Sequence, residues 1–384
     1  MLTREYFDVV ICGAGPAGST CALALGNSGL KVALVDKSRF PRDKICGDAV
    51  AAYVPKVLSA INPKYADAIG SFTDKQEVNS VRIVAPNQNK IDIKFSENGF
   101  ISTRLNFDNF LFEQASQLPK VKVFLDTPIT NVEIYEHGVT VSEGENIRFE
   151  SQLVIGCDGA QSMVNKKLTN TRVDLKHYSG AVRAYFKNVN GIDPNTFEFH
   201  FLKDILPGYF WIFPLPDNNA NVGLGMLSQA ISNRKINLRS EMVRLIETVP
   251  YLAARFAHAE RLSDIKGSGL PLGSKKVTIS GDRFMLCGDA ASLIDPATGE
   301  GIGQAMISGR YAGWQAIECF KKNDFTGSFL KHYDTMVYDK LWKDHSKRYR
   351  LQRIINNSPW VINAAVNLAK GNKFFHKSLE KIIW

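Results

Sequence analysis

The 384-residue chain is 45% hydrophobic and 22% charged, carries a formal net charge of +9, and contains six scattered cysteines. Its length predicts two or three packed units, and it has no uncharged apolar run of about 18 residues that would span a bilayer. The cysteine spacing and the lack of an apolar export segment before the first strand predict a cytoplasmic protein with reduced thiols, not a disulfide framework or a four-cysteine iron–sulfur cluster.

A glycine-rich turn follows the first predicted strand. The apolar run Tyr6–Cys12 predicts a strand buried on both faces, and it leads into Gly13–Gly18, which has the pattern GxGxxG. A helix of small residues is predicted from this turn to about Asn27. A second apolar run, Lys31–Val35, stops at Asp36. This order of strand, helix and strand predicts a βαβ unit.

The turn and Asp36 together predict a dinucleotide site. The glycines permit a tight turn, so that backbone amides at the helix N-terminus can approach a pyrophosphate. Asp36 lies 18 residues beyond Gly18, where a carboxylate accepts hydrogen bonds from the adenosine ribose hydroxyls. The turn alone does not separate FAD from NAD.

Strand-like segments of a different character follow. Their aromatic residues and turn signals predict one antiparallel sheet that forms a second domain inserted into the first. These segments are Val81–Val84, Ile91–Phe95, Ala181–Phe186, Phe197–Leu202, Tyr209–Phe213 and Val222–Met226. A hairpin is also predicted over Ile129–Ser142. From about Phe325 the pattern is helical to the end, with breaks at Pro359 and Gly371.

Two further segments identify the dinucleotide as FAD. Each places an aspartate at the end of a predicted buried strand, Asp158 after Leu153–Gly156 and Asp289 after Phe284–Cys287. Ligands of such sheets bind at the carboxyl ends of the strands, where a carboxylate suits a ribitol hydroxyl. Amides of the helix that opens after residues 298–303 would hold the flavin pyrimidine carbonyl. Either aspartate alone also fits a helix N-cap, but the three segments in this order predict an FAD-dependent oxidoreductase.

The predicted fold class is α/β, or α+β overall: a Rossmann-like FAD-binding domain with an inserted antiparallel-sheet substrate domain and C-terminal helices. The FAD-binding domain is expected to be discontinuous, over residues 1–75, 100–172 and 270–328. The substrate domain is expected at residues 76–99 and 173–269, and a basic helical region at residues 329–384.

Over residues 5–330 the chain resembles the group 2 flavoproteins of the para-hydroxybenzoate hydroxylase fold, through its GxGxxG, DG and GD/P segments. Within that group it most resembles the geranylgeranyl reductase family. Two segments carry this resemblance: Phe40-Pro41-Arg42-x-Lys44-x-Cys46-Gly47-Asp48, and Tyr209-x-Trp211-x-Phe213-Pro214 followed after eight residues by Gly223-x-Gly225. The DG segment departs from the usual pattern, because Asn165 stands where an arginine is usual, with Lys166 as a candidate replacement.

The resemblance implies reduction of carbon–carbon double bonds in an isoprenoid or other long apolar substrate, by hydride transfer from reduced flavin N5. Tyr209, Trp211 and Phe213 alternate on a predicted strand, so they share a face that lines an apolar tunnel, forms a core, or does both. In the family Cys46 lies by the isoalloxazine, where a thiol would donate a proton or tune the flavin, although a lone cysteine also fits a small buried side chain. The predicted catalytic residues are Cys46, Tyr209 and Trp211. The predicted cofactor-binding residues are Gly13, Gly15, Pro16, Ala17, Gly18, Asp36, Lys37, Arg42, Cys46, Gly47, Arg104, Asp158, Gly159, Gly288, Asp289, Pro296, Gly299, Gly301 and Ile302.

The same fold hosts other chemistry, so two alternatives stay open at this point. One is a flavin-dependent monooxygenase that hydroxylates its substrate, and the other is a flavoprotein dehydrogenase that passes electrons to quinone or a carrier protein. A halogenase is a weaker option, because the Tyr209–Pro214 segment only approaches the Trp-x-Trp-x-Ile-Pro signature. The chain has no second glycine-rich dinucleotide turn, so the electron donor is expected to be transiently bound NAD(P)H or a ferredoxin-like protein.

Most of the positive charge lies near the end of the chain. Residues 331–384 contain 11 Lys/Arg and 4 Asp/Glu, which is +7 of the total +9. This basic region predicts either a solvated surface or peripheral contact with an anionic membrane, where each basic residue contributes about 1 kcal/mol. Nucleic-acid binding is not expected, because no nucleic-acid module accompanies the basic residues. The histidines lack metal-ligand spacing, so no metal site is expected.

Overall fold

A computed structural model describes residues 3–357 and 360–371. Its strands are β1 (Thr3–Tyr6), β2 (Val9–Cys12), β3 (Val32–Val35), β4 (Ala49–Val50), β5 (Gln76–Val84), β6 (Lys90–Ile101), β7 (Val121–Phe124), β8 (Asn131–Tyr135), β9 (Gly138–Glu143), β10 (Ile147–Ser151), β11 (Leu153–Gly156), β12 (Tyr178–Lys187), β13 (Thr196–His200), β14 (Gly208–Leu215), β15 (Asn219–Leu227), β16 (Glu260–Arg261), β17 (Lys266–Pro271), β18 (Ser280–Gly281) and β19 (Phe284–Leu286). Its α-helices are α1 (Pro16–Leu25), α2 (Val54–Ser59), α3 (Pro63–Gly70), α4 (Arg104–Ser116), α5 (Met163–Leu168), α6 (Ser228–Arg234), α7 (Leu238–Thr248), α8 (Pro250–Phe256), α9 (Ile302–Lys322), α10 (Gly327–Asn357) and α11 (Trp360–Gly371).

The predicted cofactor domain is built on a six-stranded sheet with the order β18-β19-β11-β2-β3-β7. Strands β19, β11, β2, β3 and β7 are parallel, and every residue of β2, β3 and β11 is buried. Their continuous apolar runs are typical of parallel strands covered on both faces. The βαβ unit and the buried strands predicted from the sequence are therefore confirmed. The predicted hairpin is also present, as β8 and β9 of a separate four-stranded sheet with the order β1-β10-β9-β8.

Helices α1 and α9 pack together because small residues let their backbones approach closely. A Cβ atom added at Gly309 of α9 would lie 2.1 Å from the carbonyl oxygen of Ala17 in α1. One added at Gly313 would lie 2.6 Å from the Ala24 Cβ. This contact fixes the N-terminal turn of α1 relative to α9, and so relative to the segment that precedes α9.

The second large sheet contains all six strand-like segments predicted from the sequence. Its order is β16-β12-β15-β14-β13-β5-β6-β4, with β17 also paired to β12. One feature differs from the expected antiparallel sheet, because β13 runs parallel to β5. The other neighbours in this sheet are antiparallel, as short hairpins require for pairs such as β14–β15. Strands β5 and β13 are far apart in sequence, so no hairpin constrains their direction.

The two faces of this sheet have different neighbours. Phe210 and Ile212 of β14 share one core with residues of α7 and α8. Trp211 and Phe213 point to the opposite face, where they share a core with residues of α11. The alternation predicted for this strand is confirmed, and it leaves the aromatic face directed away from α7 and α8.

The C-terminal part is helical, as predicted. The predicted break at Pro359 lies outside the described residues, and Gly371 is the last residue of α11. Residues 372–384, which carry part of the predicted basic region, also lie outside them. Among the helices that the structure describes, none is long and apolar enough to cross a membrane. The domain boundaries given above stay a prediction.

Candidate functional site

The three segments that predict the dinucleotide site meet at the carboxyl ends of the parallel strands. The Gly13 Cα faces the chain that follows β11, since an added Cβ would lie 2.3 Å from the carbonyl oxygen of Cys157. A Cβ at Gly288 would lie 3.7 Å from the Ala17 Cβ. Gly13 has a φ of +101°, which only glycine adopts without strain, and this allows the close approach. The GxGxxG, DG and GD segments therefore form one site.

The N-terminus of α1 lies beside a cluster of charged side chains. Asp36, at the end of β3, accepts a hydrogen bond from the Ala14 amide at 2.8 Å. The Arg42 Nε lies 4.0 Å from an Asp36 carboxylate oxygen, and its Nη1 donates to Asp108 at 3.0 Å. Arg104 makes two hydrogen bonds to the same Asp108 carboxylate, at 2.5 and 2.7 Å. Asp108 thus holds both predicted arginines in place.

This arrangement fits the pyrophosphate of FAD. Gly15, the N-cap residue of α1, has no side chain to cap the helix, so the end of the helix is open to an anion. A Cβ at Gly15 would meet only side-chain atoms within 4 Å, those of Arg42 and Asp108. The backbone amides of this turn and the Arg42 guanidinium, which is held by the Asp108 carboxylate, are therefore the groups that would bind the pyrophosphate. Lys37 and Gly159 were also predicted as cofactor contacts: Lys37 is exposed, and a Cβ at Gly159 would meet nothing within 4 Å.

The two strand-end aspartates have different partners. The Asp158 carboxylate accepts hydrogen bonds from the first two amides of α5, those of Met163 and Val164, at 2.6 and 3.2 Å. The N-cap residue of this helix is Ser162, so Asp158 is not the N-cap that the sequence left open, and its contact with FAD stays a prediction. Asp289 instead pairs with Lys44 at 2.8 Å and lines a cavity. Asn165, which replaces the usual arginine, donates to the Ala290 carbonyl at 2.7 Å and so joins the DG and GD segments.

A cavity of about 710 Å³ lies between the aromatic face of the second sheet and the N-terminus of α9. Much of its wall is apolar, with residues from β5, β13, β14, α9, α10 and α11. Many predicted site residues line it: Pro16, Cys46, Gly47, Arg104, Tyr209, Trp211, Asp289, Pro296, Gly299, Gly301 and Ile302. The remaining predicted cofactor residues lie outside its wall, around the turn before α1 and the ends of β3, β11 and β19.

The aromatic side chains of β14 form one wall of this cavity. Trp211 lies 6.0 Å from Tyr209 and 6.1 Å from Phe213, between ring centroids. The Tyr209 hydroxyl donates to the carbonyl oxygen of Thr298, which ties β14 to the loop before α9. Burial raises the pKa of Tyr209, so this hydroxyl stays protonated at neutral pH. Gly223 makes room for the indole, since a Cβ there would lie 2.1 Å from Trp211.

Cys46 lies in the cavity wall between Arg104 and the aromatic face. A Cβ on the next residue, Gly47, would lie 3.1 Å from the Phe213 ring, so this segment packs directly on that face. Burial raises the pKa of the Cys46 thiol, although the positive charge of Arg104 opposes that rise. The thiol is therefore protonated at neutral pH. It is placed to hold a proton beside the cavity, and its catalytic role stays a prediction.

A buried polar network behind Cys46 was not predicted. Asp48 is fully buried with a φ of +66°, and its Oδ2 accepts hydrogen bonds from the Tyr185 hydroxyl and the Asn221 amide, both at 2.8 Å. Asn221 also donates to the Cys46 carbonyl and accepts from the Trp211 indole. Burial raises the pKa of Asp48 to about 6, against the effect of these hydrogen bonds. This network fixes Cys46 and Trp211 relative to each other.

Comparisons with known proteins bear on the cofactor and the fold. The family model described as FAD binding domain matches residues 6–336, which assigns FAD as the cofactor. A digeranylgeranylglycerophospholipid reductase of Methanosarcina acetivorans is 30% identical over 354 residues, covering 89% of this chain and 81% of that protein. One from Methanocella arvoryzae is 28% identical over 393 residues, covering 99% and 95%. The crystal structure of a geranylgeranyl bacteriochlorophyll reductase-like protein from Thermoplasma acidophilum superposes with a TM-score of 0.84 at 25% identity, covering 95% of this chain and 92% of that one.

Proposed function

This chain belongs to the geranylgeranyl reductase family of FAD-dependent oxidoreductases, and we propose that it reduces carbon–carbon double bonds in the isoprenoid chain of a lipid. The observation that carries this proposal is the cavity, which joins a wall of aromatic side chains to Cys46 and to the N-terminus of α9, where Glu300 accepts a hydrogen bond from the Gly303 amide at 2.7 Å. Its apolar wall suits a long hydrocarbon substrate. The names of the similar reductases point to a glycerophospholipid as the carrier of that chain.

In this proposal some residues of the chain bind FAD and others act on the substrate. The turn before α1, together with Arg42 and Asp36, holds the adenosine and pyrophosphate portion of FAD. Gly301 and Ile302, at the start of α9, direct amides at the flavin ring. Bound FAD, once reduced, supplies a hydride from its N5 atom. The protein contributes the position of the alkene, the exclusion of water and a proton for the second carbon.

The aromatic wall excludes water from the substrate, and Cys46 supplies the proton. Trp211 and Phe213 are 5% exposed and exclude water from one side of the alkene. The protonated Cys46 thiol gives its proton to the carbon that does not receive the hydride, so each turnover adds two hydrogens to the substrate. The neighbouring Arg104 guanidinium then stabilises the thiolate until solvent returns the proton.

Reduction of the flavin requires an electron donor. We expect NAD(P)H or a ferredoxin-like protein as the donor, and anaerobic mixing with each one separately distinguishes them by the rate of flavin bleaching.

The C-terminal helices expose Ile354, Trp360 and Leu368, whose side chains are 54%, 68% and 51% exposed. Exposed apolar side chains within a basic region are typical of peripheral contact with an anionic membrane.

The membrane contact has its own test. Wild-type protein should sediment with anionic vesicles at low salt, and much less with uncharged vesicles. A Trp360→Ala variant that is folded and carries the same amount of flavin should bind less to the anionic vesicles. Equal sedimentation with both vesicle types would count against an electrostatic membrane contact.

The reductase activity is tested by product mass. Protein reduced with dithionite is incubated with a geranylgeranyl glycerophospholipid in the absence of oxygen, and the lipid is analysed by mass spectrometry. We expect products that have gained two hydrogens for each double bond reduced, and a rate at least tenfold lower for Cys46→Ala. A lipid that gains an oxygen atom in air, and no hydrogen under anaerobic conditions, would instead identify a monooxygenase.

A further inference from the structure

The cavity contains one buried arginine that plays no part in the chemistry above. Arg310 lies on α9, is 9% exposed and lines the cavity wall. Lys56 of α2 and Lys340 of α10 are exposed and line the same cavity. Because these exposed side chains belong to the cavity wall, the cavity reaches solvent beside α2 and α10.

Arg310 differs from the other arginines of the cavity wall in lacking a carboxylate partner. Within residues 3–357 and 360–371, no carboxylate oxygen forms an ion pair with its guanidinium. In the part of the chain that the structure describes, its one hydrogen bond runs from Nη1 to the Val57 carbonyl at a long 3.4 Å, and its Nε is buried without an acceptor. The other three cavity arginines are each paired: Arg104 with Asp108, Arg183 with Asp43, and Arg348 with Asp295.

A buried cation without a counter-charge is costly, so the position of Arg310 indicates an anionic partner that the chain does not supply. The guanidinium lies 4.9 Å from the Tyr311 ring centroid and 4.8 Å from that of Trp314. These contacts orient its plane but leave its charge unneutralised. The Arg310 Nη2 forms no hydrogen bond within the described residues, and a guanidinium N–H donates strongly to a phosphate oxygen.

We propose that Arg310 binds the phosphate of the substrate's head group while the isoprenoid chain extends through the cavity toward Cys46. This assignment rests on the proposed function and adds the recognition of an anionic head group to it. Arg310 lies eight residues along α9 from Ile302, which is about 12 Å at the helical rise of 1.5 Å per residue. The head group and the reacting double bond would thus occupy separate parts of one cavity. Lys340 at the rim adds positive charge to the entrance.

The test compares two ligands that share a chain and differ in charge. Geranylgeranyl monophosphate and geranylgeraniol are titrated into the FAD-loaded protein, and binding is followed by intrinsic tryptophan fluorescence. For Arg310→Gln we expect the Kd of the monophosphate to rise about tenfold or more, with the Kd of geranylgeraniol unchanged within about twofold. The matched control is Arg350→Gln, which removes an exposed arginine of α10 that does not line the cavity, and neither Kd should change.

Four results would overturn the assignment. Equal weakening of both ligands by Arg310→Gln would mean that the arginine only supports the apolar wall, and no weakening of either would mean that it does not contact the head group. Loss of bound flavin in Arg310→Gln would assign the arginine to the cofactor instead. Inorganic phosphate that binds wild type as tightly as the monophosphate would identify a free-anion site. Because binding is measured without turnover, the head-group assignment can fail while the reductase activity stands, and the reverse also holds.

Discussion

Replacement of Asp48 by asparagine should change how the stability of the protein depends on pH. Burial raises the pKa of this side chain from its ordinary value of 3.8 to about 6, so the folded protein keeps the proton to higher pH than the unfolded chain does. Between these two values the folded state binds more protons, and the free energy of unfolding therefore falls as the pH rises. A pKa difference of about 2 corresponds to a total change of about 3 kcal/mol in the free energy of unfolding. About 2 kcal/mol of this change occurs between pH 4.5 and pH 7.5.

Asparagine has nearly the same shape, keeps an oxygen for the Tyr185 and Asn221 donors, and does not titrate. Urea unfolding of wild type and Asp48→Asn, followed by tryptophan fluorescence at pH 4.5, 6.0 and 7.5, gives the difference in unfolding free energy at each pH. We expect that difference to move in favour of the variant by about 2 kcal/mol across this range. As a control, Tyr185→Phe removes a hydrogen bond to the charged form of Asp48 and so raises the pKa of Asp48 further. The fall in unfolding free energy should then occur at higher pH than in wild type. A difference that stays constant from pH 4.5 to 7.5 would refute the buried, titrating Asp48.

Two further predictions concern glycines at which an added side chain would clash with neighbouring atoms. Gly18→Ala puts a Cβ 1.8 Å from a backbone carbonyl oxygen of its own turn, so the purified protein should lose most of its FAD; Gly70→Ala, where nothing lies within 4 Å, should keep it. Equal flavin absorbance per protein in the two variants would contradict this. Gly223→Ala puts a Cβ 2.1 Å from the Trp211 indole and should lower lipid reduction at least tenfold at full flavin content, whereas Gly225→Ala, with 3.7 Å contacts, should stay near wild type. Similar rates for these two variants would argue against a role of the indole in placing the substrate.

The parts of this molecule that follow from its sequence are those fixed by short-range patterns. The run Tyr6–Cys12, the turn after it and Asp36 predict a βαβ unit because strand, glycine turn and carboxylate lie within one chain segment. The shared face of Tyr209, Trp211 and Phe213 follows from the two-residue period of a strand. Resemblance to a family then identified the segment around Cys46, which the residues alone left ambiguous.

The parts that the sequence did not predict depend on contacts between distant residues. Asp48 and Tyr185 are 137 positions apart, so their hydrogen bond exists only once the second sheet has packed on the cofactor domain. The lack of a carboxylate near Arg310 is likewise a property of the folded chain. One such contact does have a signal in the sequence, because Asp108 follows Arg104 at the i,i+4 spacing at which oppositely charged side chains pair on a helix.

The central claim is that electrons pass from the reduced flavin to a double bond of a lipid. It is tested most directly by a single turnover: the bound flavin is photoreduced without oxygen, one geranylgeranyl glycerophospholipid is added per flavin, and the flavin absorbance is followed. We predict that the flavin reoxidises only when the lipid is present, with one double bond reduced per flavin. A flavin that stays reduced until oxygen is admitted would contradict the account.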